Sequence, residues 1–215
     1  MSTPDGQIGI DESGKGDYFG PLVIAGVYVP QNQEAHLKAL GVRDSKTLSD
    51  AKATALAAHI RSQCPHTVVA IGPERYNAMH TSMKNLNRML AWGHARAIEN
   101  LLETVECHRV VADQFGDERF LNNALMAKGR EVTLIQKPRA EEEVAVAAAS
   151  ILARAEFLRR LQELGMKYGM TLPKGASDAV IQAAKQLVQK HSAEILGQVA
   201  KLHFRTTVSV LGGNG

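Results

Sequence analysis

Short β-branched runs alternate along this chain with longer segments of helical spacing, and that alternation constrains its fold more than any other feature. QIGID (7–11) closes on an acid followed by a glycine-rich turn, and PLVIAGVYVP (21–30) is bounded by prolines. HTVVAIG (66–72), RVVAD (109–113) and EVTLIQ (131–136) repeat the strand pattern. Between them the sequence predicts helices over 31–40, over 49–63 with Ser49 as N-cap, and over 86–105, 117–126 and 141–165. Another helix starts near 178, while 199–211 fits either state. Five strands interleaved with helices make an α/β layer fold: a mixed central sheet flanked by helices, with a helical C-terminal part over about 165–215. No repeat, low-complexity tract or linker interrupts residues 1–215, so one domain is expected.

A chain of 215 residues, 45% hydrophobic, can bury a core without disulfides or structural metals. Cys64 and Cys107 form no CxxC pair and read as two buried thiols in a reducing compartment. The opening MSTPDGQ has no basic stretch ahead of an apolar core, and no apolar run reaches membrane-spanning length. A cytoplasmic protein without a membrane partner is therefore expected. The net charge of +3 neither demands nor excludes a polyanion. Its distribution says more, because residues 154–205 carry nine Lys and Arg against four Asp and Glu, which leaves the rest of the chain acidic. Carboxylates beside cations suit metal ions and phosphates; the plainer alternative is a solvated basic helical surface.

Asp11 and Glu12 follow the first strand and Asp113 closes the fourth. Functional side chains gather at the carboxyl ends of strands in open α/β sheets, so these acids converge if the two strands are neighbours. The resulting oxygen-rich site would suit Mg²⁺ or Mn²⁺. Singly, each acid is equally at home as a turn residue or a cap. Glu141, Glu142 and Glu143 open the long helix, where one of them supplies a fourth acid or all three merely complement the helix dipole. Residues 9–15 also fit the first seven positions of the phosphate-cradling GxxxxGK[ST] pattern. Gly16 then stands where a hydroxyl is required, two carboxylates occupy the loop, and 16–21 is a poor helix start, so nucleoside triphosphate binding is set aside.

Taken together, Asp11-Glu12-Ser13-Gly14-Lys15-Gly16-Asp17-Tyr18-Phe19-Gly20-Pro21-Leu22 resembles the opening motif of the type 2 ribonucleases H, in the GKG form of ribonuclease HIII rather than the GRG form of ribonuclease HII. Asp44-Ser45-Lys46-Thr47-Leu48-Ser49 resembles the family's DSK motif. Asn85-Leu86-Asn87 with Leu90-Ala91-Trp92 is similar to its central helix, and Asp113-Gln114-Phe115 to the segment around its third acid. AVAAASILAR (145–154), LPKGAS (172–177) and KLHFRTT (201–207) resemble later blocks, so the likeness runs in order from about 7 to 207.

The resemblance implies an RNase H-like fold and endonucleolytic cleavage of the RNA strand of RNA–DNA hybrids with two Mg²⁺ or Mn²⁺ ions, leaving 3′-hydroxyl and 5′-phosphate ends. It makes Asp11, Glu12, Asp113 and Glu141 the catalytic and metal-binding acids. Arg139-Ala140 precedes Glu141 as the family pattern asks, while a spacing one residue short keeps Glu142 open. Gly14, Lys15 and Gly16 would read the 2′-hydroxyl. Ser45, Lys46, Asn85, Asn87, Lys174, Lys201 and Arg205 would contact phosphates, though each also fits a plain solvated surface. Trp92 and Phe204 read as core. Ribonucleases HIII usually carry an extra N-terminal hybrid-binding domain, and here only a few residues precede the first strand, so affinity is expected from the catalytic domain alone. Tyr168 lies near the place where ribonuclease HII has a Tyr that recognises a single ribonucleotide's junction with DNA; packing under a loop is its plainer role. The expected partner is hybrid nucleic acid, met by a monomer with no obligatory protein partner. The alternatives are incision at single ribonucleotides in DNA, a non-catalytic hybrid-binding module and a resolvase-like nuclease.

Overall fold

The β-branched runs become strands because their side chains find apolar cover. In the computed structural model, which describes residues 6–43 and 45–212, these runs are β1 (Gly6–Ser13), β2 (Leu22–Pro30), β3 (His66–Ile71), β4 (Arg109–Asp113) and β5 (Thr133–Lys137). Asp44, at the head of the DSK segment, and the first five residues of MSTPDGQ lie outside the described residues. The strands form one mixed five-stranded sheet in the spatial order β3-β2-β1-β4-β5, flanked by helices as the alternation predicts. β1 and β4 pair in parallel with Ile8 opposite Val110 and Ile10 opposite Ala112, and β4 pairs in parallel with β5. Ile8, Ile10, Ile24, Val27, Val29, Val110 and Val111 are wholly buried. Burial on both faces explains why central runs read as nearly continuous apolar stretches.

The helices are α1 (Glu34–Leu40), α2 (Asp50–Gln63), α3 (Pro73–Met83), α4 (Leu86–Leu102), α5 (Arg119–Ala124), α6 (Val144–Lys167), α7 (Asp178–His191), α8 (Ile195–Val199) and α9 (Arg205–Leu211). Ser49 caps α2 as expected, its side chain accepting from the Lys52 N–H at 3.2 Å. The segment expected as one helix over 31–40 splits into a 3₁₀ turn at Gln31–Gln33 and α1. α3 was not expected at all. The long helix begins at Val144 rather than 141, because Ala140–Glu142 form a 3₁₀ turn entered through Arg139 in the left-handed region at φ 56°. The ambiguous 199–211 resolves into a bridge from Ala200 to Phe19, followed by α9. Both cysteines are buried thiols without a bridge. Among the described residues no helix is long and apolar enough to cross a membrane.

The chain divides into two compact units. One takes in the chain up to Ser13, Ile24–Val69 and Asn85–Ala155; the other takes in Gly14–Val23, Ala70–Lys84 and the chain from Glu156 on. In the first, α6 rests directly on β1: a Cβ at Gly9 would lie 2.0 Å from the Ala145 carbonyl carbon, so glycine is the residue that permits the approach. α4 packs on β2 through side chains, where a Cβ at Gly93 would meet the Ile24 Cδ1 at 2.6 Å. In the second unit α3 packs on α8, and α7 on α8 and α9. Asn77 ties α3 to the chain beyond it, donating to the Ala200 carbonyl at 2.9 Å and accepting from the Leu202 N–H at 2.9 Å.

Candidate active site

The first unit gathers the acids. Because β1 and β4 are parallel neighbours in register, Asp11 and Asp113 emerge side by side at the carboxyl ends of their strands. Burial, followed by the adjacent Glu12 carboxylate, pushes the Asp11 carboxyl up to about 8; Asp113 adds to the push, while hydrogen bonds from the Ser150 side chain and the Glu12 N–H oppose it. Burial also raises Asp113. The Ala140 N–H, donating to its Oδ1 at 3.2 Å, works the other way, as does the charge of Lys46, while the Glu141 and Glu12 carboxylates raise it further. The 3₁₀ turn that opens at Ala140 therefore does two things: it fixes Asp113 and it carries Glu141 into electrostatic reach. Of its neighbours, Glu142 is exposed, and Glu143 is held low by Lys137 Nζ at 2.6 Å and Gln7 Nε2 at 3.1 Å.

Four carboxylates thus come within electrostatic reach of one another at one corner of the sheet, where burial and like charge disfavour ionisation of Asp11 and Asp113. Desolvated, crowded oxygen donors are the donor chemistry of a hard divalent cation, whose charge would offset both the burial and the repulsion. Among the described residues, no three His, Cys, Asp or Glu side chains are drawn together closely enough to form a coordination shell as they stand. The donor types nonetheless fit a hard cation.

Three supports were not foreseen in the sequence. Ser150, from the Ala-rich stretch of α6, hydrogen-bonds Asp11 and also Ser45 Oγ at 2.7 Å. Arg154, one turn further along α6, holds the Ser45 carbonyl through Nη1 and Asp50 Oδ1 through Nη2 at 2.6 Å. His94 of α4 is fully buried, with Nε2 3.0 Å from Glu12 Oε2 and its ring edge-on to Phe115. A lone serine in an alanine run and a histidine on the apolar face of a helix were the available signals.

In the second unit three separated sequence blocks meet around residues 17–20. Asp17 Oδ1 accepts from the Gly175 N–H at 2.6 Å, the Tyr18 N–H donates to the Gly175 carbonyl at 2.9 Å, and the Gly20 N–H donates to the Val199 carbonyl at 2.9 Å. Lys201 closes the arrangement. Its side chain is fully buried, and Nζ donates to the Asp17 and Gly20 carbonyls, each at 2.8 Å.

A family model described as Ribonuclease HII matches residues 8–207. The chain belongs to the type 2 ribonucleases H. A ribonuclease HIII of Protochlamydia amoebophila (strain UWE25) is 49% identical over 208 residues, covering 97% of this chain and 69% of that relative. The ribonuclease HIII of Chlamydia muridarum (strain MoPn / Nigg) is 46% identical over 96% of this chain and 69% of its own. Among solved structures, Bst-RNase HIII in complex with Mn²⁺ superposes with a TM-score of 0.90 at 35% identity, over 97% of this chain and 70% of that one. The RNase H-like fold and ribonuclease H activity expected from the motifs are thus those of its relatives.

The residues expected to touch substrate in this ribonuclease H fall into different settings. Lys46, Lys174 and Arg205 are exposed, and Lys15 is half-buried beside an exposed Gly16. Asn85 serves as the N-cap of α4, accepting from the Arg88 N–H at 3.2 Å, while Asn87 packs beside Gly116. Tyr168 donates its hydroxyl to Gln198 at 2.8 Å. Two expectations need correction. Ser45 and Lys201 were read as surface contacts to phosphate, but both are buried, the first bonded to Ser150 and the second to loop carbonyls. Polarity was legible in the sequence; the direction each side chain takes depends on tertiary packing. Gly14 and Gly16, read as a pair, also separate. Gly14 has φ 85° and a Cβ there would lie 2.2 Å from the Pro21 carbonyl oxygen, whereas a Cβ at Gly16 would meet nothing within 4 Å.

Proposed function

We propose that this ribonuclease H cuts the RNA strand of RNA–DNA hybrids endonucleolytically, leaving 5′-phosphate and 3′-hydroxyl ends, with Asp11, Glu12, Asp113 and Glu141 as ligands of two Mg²⁺ or Mn²⁺ ions. The observation that carries this reading is the pairing of Asp11 with Asp113 on neighbouring parallel strands, with the Glu12 and Glu141 carboxylates in electrostatic reach. The chemistry such ions supply when bound is activation of a water and stabilisation of the leaving oxygen. The manganese complex of Bst-RNase HIII supports the class of ion.

The chain's own residues orient and select. The Ser150 hydroxyl fixes Asp11, the Ala140 N–H fixes Asp113, and Lys46 places a positive charge beside them for the scissile phosphate. The open space at Gly16 supports a role outside the fold: its lack of a side chain serves the close approach of a nucleic-acid backbone, where a 2′-hydroxyl can be read. Lys15, Lys174 and Arg205 contact phosphates and carry no sequence preference. No protein partner is needed.

Cleavage of an end-labelled continuous hybrid, a DNA duplex with one embedded ribonucleotide and an all-DNA duplex, each with Mg²⁺ or Mn²⁺, tests the proposal. Cutting of the hybrid at several internal sites, with product ends that a 5′-phosphatase shifts in a gel, is the expected result. Preference for the single ribonucleotide would replace the substrate, and cutting of all-DNA duplex would overturn the reading of Gly16.

A further inference from the structure

Glu12 stands at the end of β1, and one of its carboxylate oxygens, Oε2, points at the Nε2 of His94 on α4 at 3.0 Å. That ring has 0% exposure, and its other nitrogen, Nδ1, is buried with no hydrogen-bond partner among the described residues. The two facts select one tautomer. With the proton on Nε2, the ring donates to the carboxylate and leaves only a bare lone pair against the apolar core. With the proton on Nδ1, a lone pair would face Glu12 and a buried N–H would have no acceptor.

The ring is also immobilised. Phe115, two residues beyond Asp113, packs edge-on at 4.8 Å between centroids, and at the adjacent Gly93 a Cβ would meet the Ile24 Cδ1 at 2.6 Å, so Ile24 of β2 packs tightly against this turn of α4. A fully apolar side chain would satisfy this pocket better than an imidazole with an unpaired nitrogen, so packing alone does not account for a histidine.

We infer that His94 is a positioning residue. Its Nε2–H holds Glu12 Oε2 and so fixes the plane of the Glu12 carboxylate, pre-organising it as a ligand for a divalent cation. This inference rests on Glu12 being a metal ligand, as proposed above. A hydrogen bond that orients a ligating group and sets its basicity commonly alters metal affinity by about 10- to 100-fold when removed.

Titration of the whole protein with Mn²⁺ by calorimetry, for the parent, His94→Phe, His94→Gln, His94→Asn and Glu12→Gln, is the test. The Gln amide nitrogen can reach about where Nε2 sits, whereas that of Asn cannot. His94→Phe and His94→Asn should each lose about 10-fold or more in Mn²⁺ affinity, and His94→Gln should recover most of it. On hybrid substrate the losses should fall on kcat, with KM for the nucleic acid little changed, because His94 touches no substrate. In the parent, ¹⁵N spectra of labelled histidine should show the Nε2–H tautomer for His94, perturbed on adding Mg²⁺. Equal Mn²⁺ affinity in parent, Gln and Asn variants, or an Nδ1–H tautomer, overturns the inference even if His94→Phe fails to fold. Should Glu12→Gln bind Mn²⁺ as tightly as the parent, the assignment of the metal site itself falls.

Discussion

At the scale of single residues, the carboxylate corner opposes charge on its own acids. Desolvation and the neighbouring Glu12 and Asp113 carboxylates disfavour charge on Asp11, so an uncharged amide there costs the metal-free protein little. Asp11→Asn should therefore lower hybrid cleavage by at least about 100-fold while leaving the metal-free protein's melting temperature unchanged or raised. Calorimetric melting beside the cleavage assay checks both; a large loss of stability would show that the acid is structural. Glu141→Gln should behave like Asp11→Asn in the cleavage assay, and Glu142→Gln like the parent, because only Glu141 acts on Asp113. The sequence left these two glutamates open. What distinguishes them is the left-handed turn at Arg139, which no periodicity announces. Lys201 misled for a related reason. A lysine in a basic stretch is ordinarily solvated, and nothing nearby in sequence advertises the carbonyls of Asp17 and Gly20 that take its ammonium.

Among the elements, two glycines of the same tripeptide should respond oppositely to alanine. Gly14 needs a left-handed backbone and faces a carbonyl oxygen, so Gly14→Ala should cost about 2 kcal/mol or more of folding stability. Gly16→Ala should melt like the parent yet cut hybrid at least about 10-fold more slowly, since the added methyl meets nothing in the protein. Urea denaturation beside the cleavage assay separates the two; a Gly16→Ala variant with full activity would remove the close approach to nucleic acid.

On α6, Glu156 is buried under Arg159 at 2.6 Å and Arg160 at 2.6 Å, which hold its carboxyl at about 2 against an ordinary 4.5. The acid is depressed in the folded state, so its contribution is complete above about pH 4.5 and is lost as pH falls toward 2. With half-exposed arginines as partners, that contribution amounts to about 1–2 kcal/mol. Glu156→Gln should abolish that part of the acid sensitivity, which denaturation at pH 6 and pH 3 would reveal. Element legibility followed apolar density: the strands and α4 announce themselves, whereas α3 buries only Tyr76 and offers a Gly-Pro start with little periodicity behind it.

For the whole molecule, the net charge of +3 is a sum of opposed regions, an acidic strand-end corner and a basic C-terminal stretch. If Lys15, Lys46, Lys174 and Arg205 each neutralise a phosphate, the logarithm of hybrid affinity should fall with the logarithm of salt at a slope of about −3 to −4. Removing Lys174 by alanine substitution should reduce that slope by about one, uniformly over hybrid sequences. Filter binding from 50 to 300 mM salt in Ca²⁺ would measure it; an unchanged slope would return Lys174 to the role of plain solvated surface.

The parallel pairing of β1 with β4 also has a bearing on synthesis. Asp11 and Glu141 lie about 130 residues apart, and their meeting waits on a strand pairing whose second partner, β4, is made about 100 residues after the first. A growing chain therefore carries Asp11 and Glu12 through about 100 residues of further synthesis before Asp113 is made. The four-carboxylate corner is complete only once Glu141 has emerged, and a chain cut off before that point holds Asp11 and Glu12 without the full set of acids that face them.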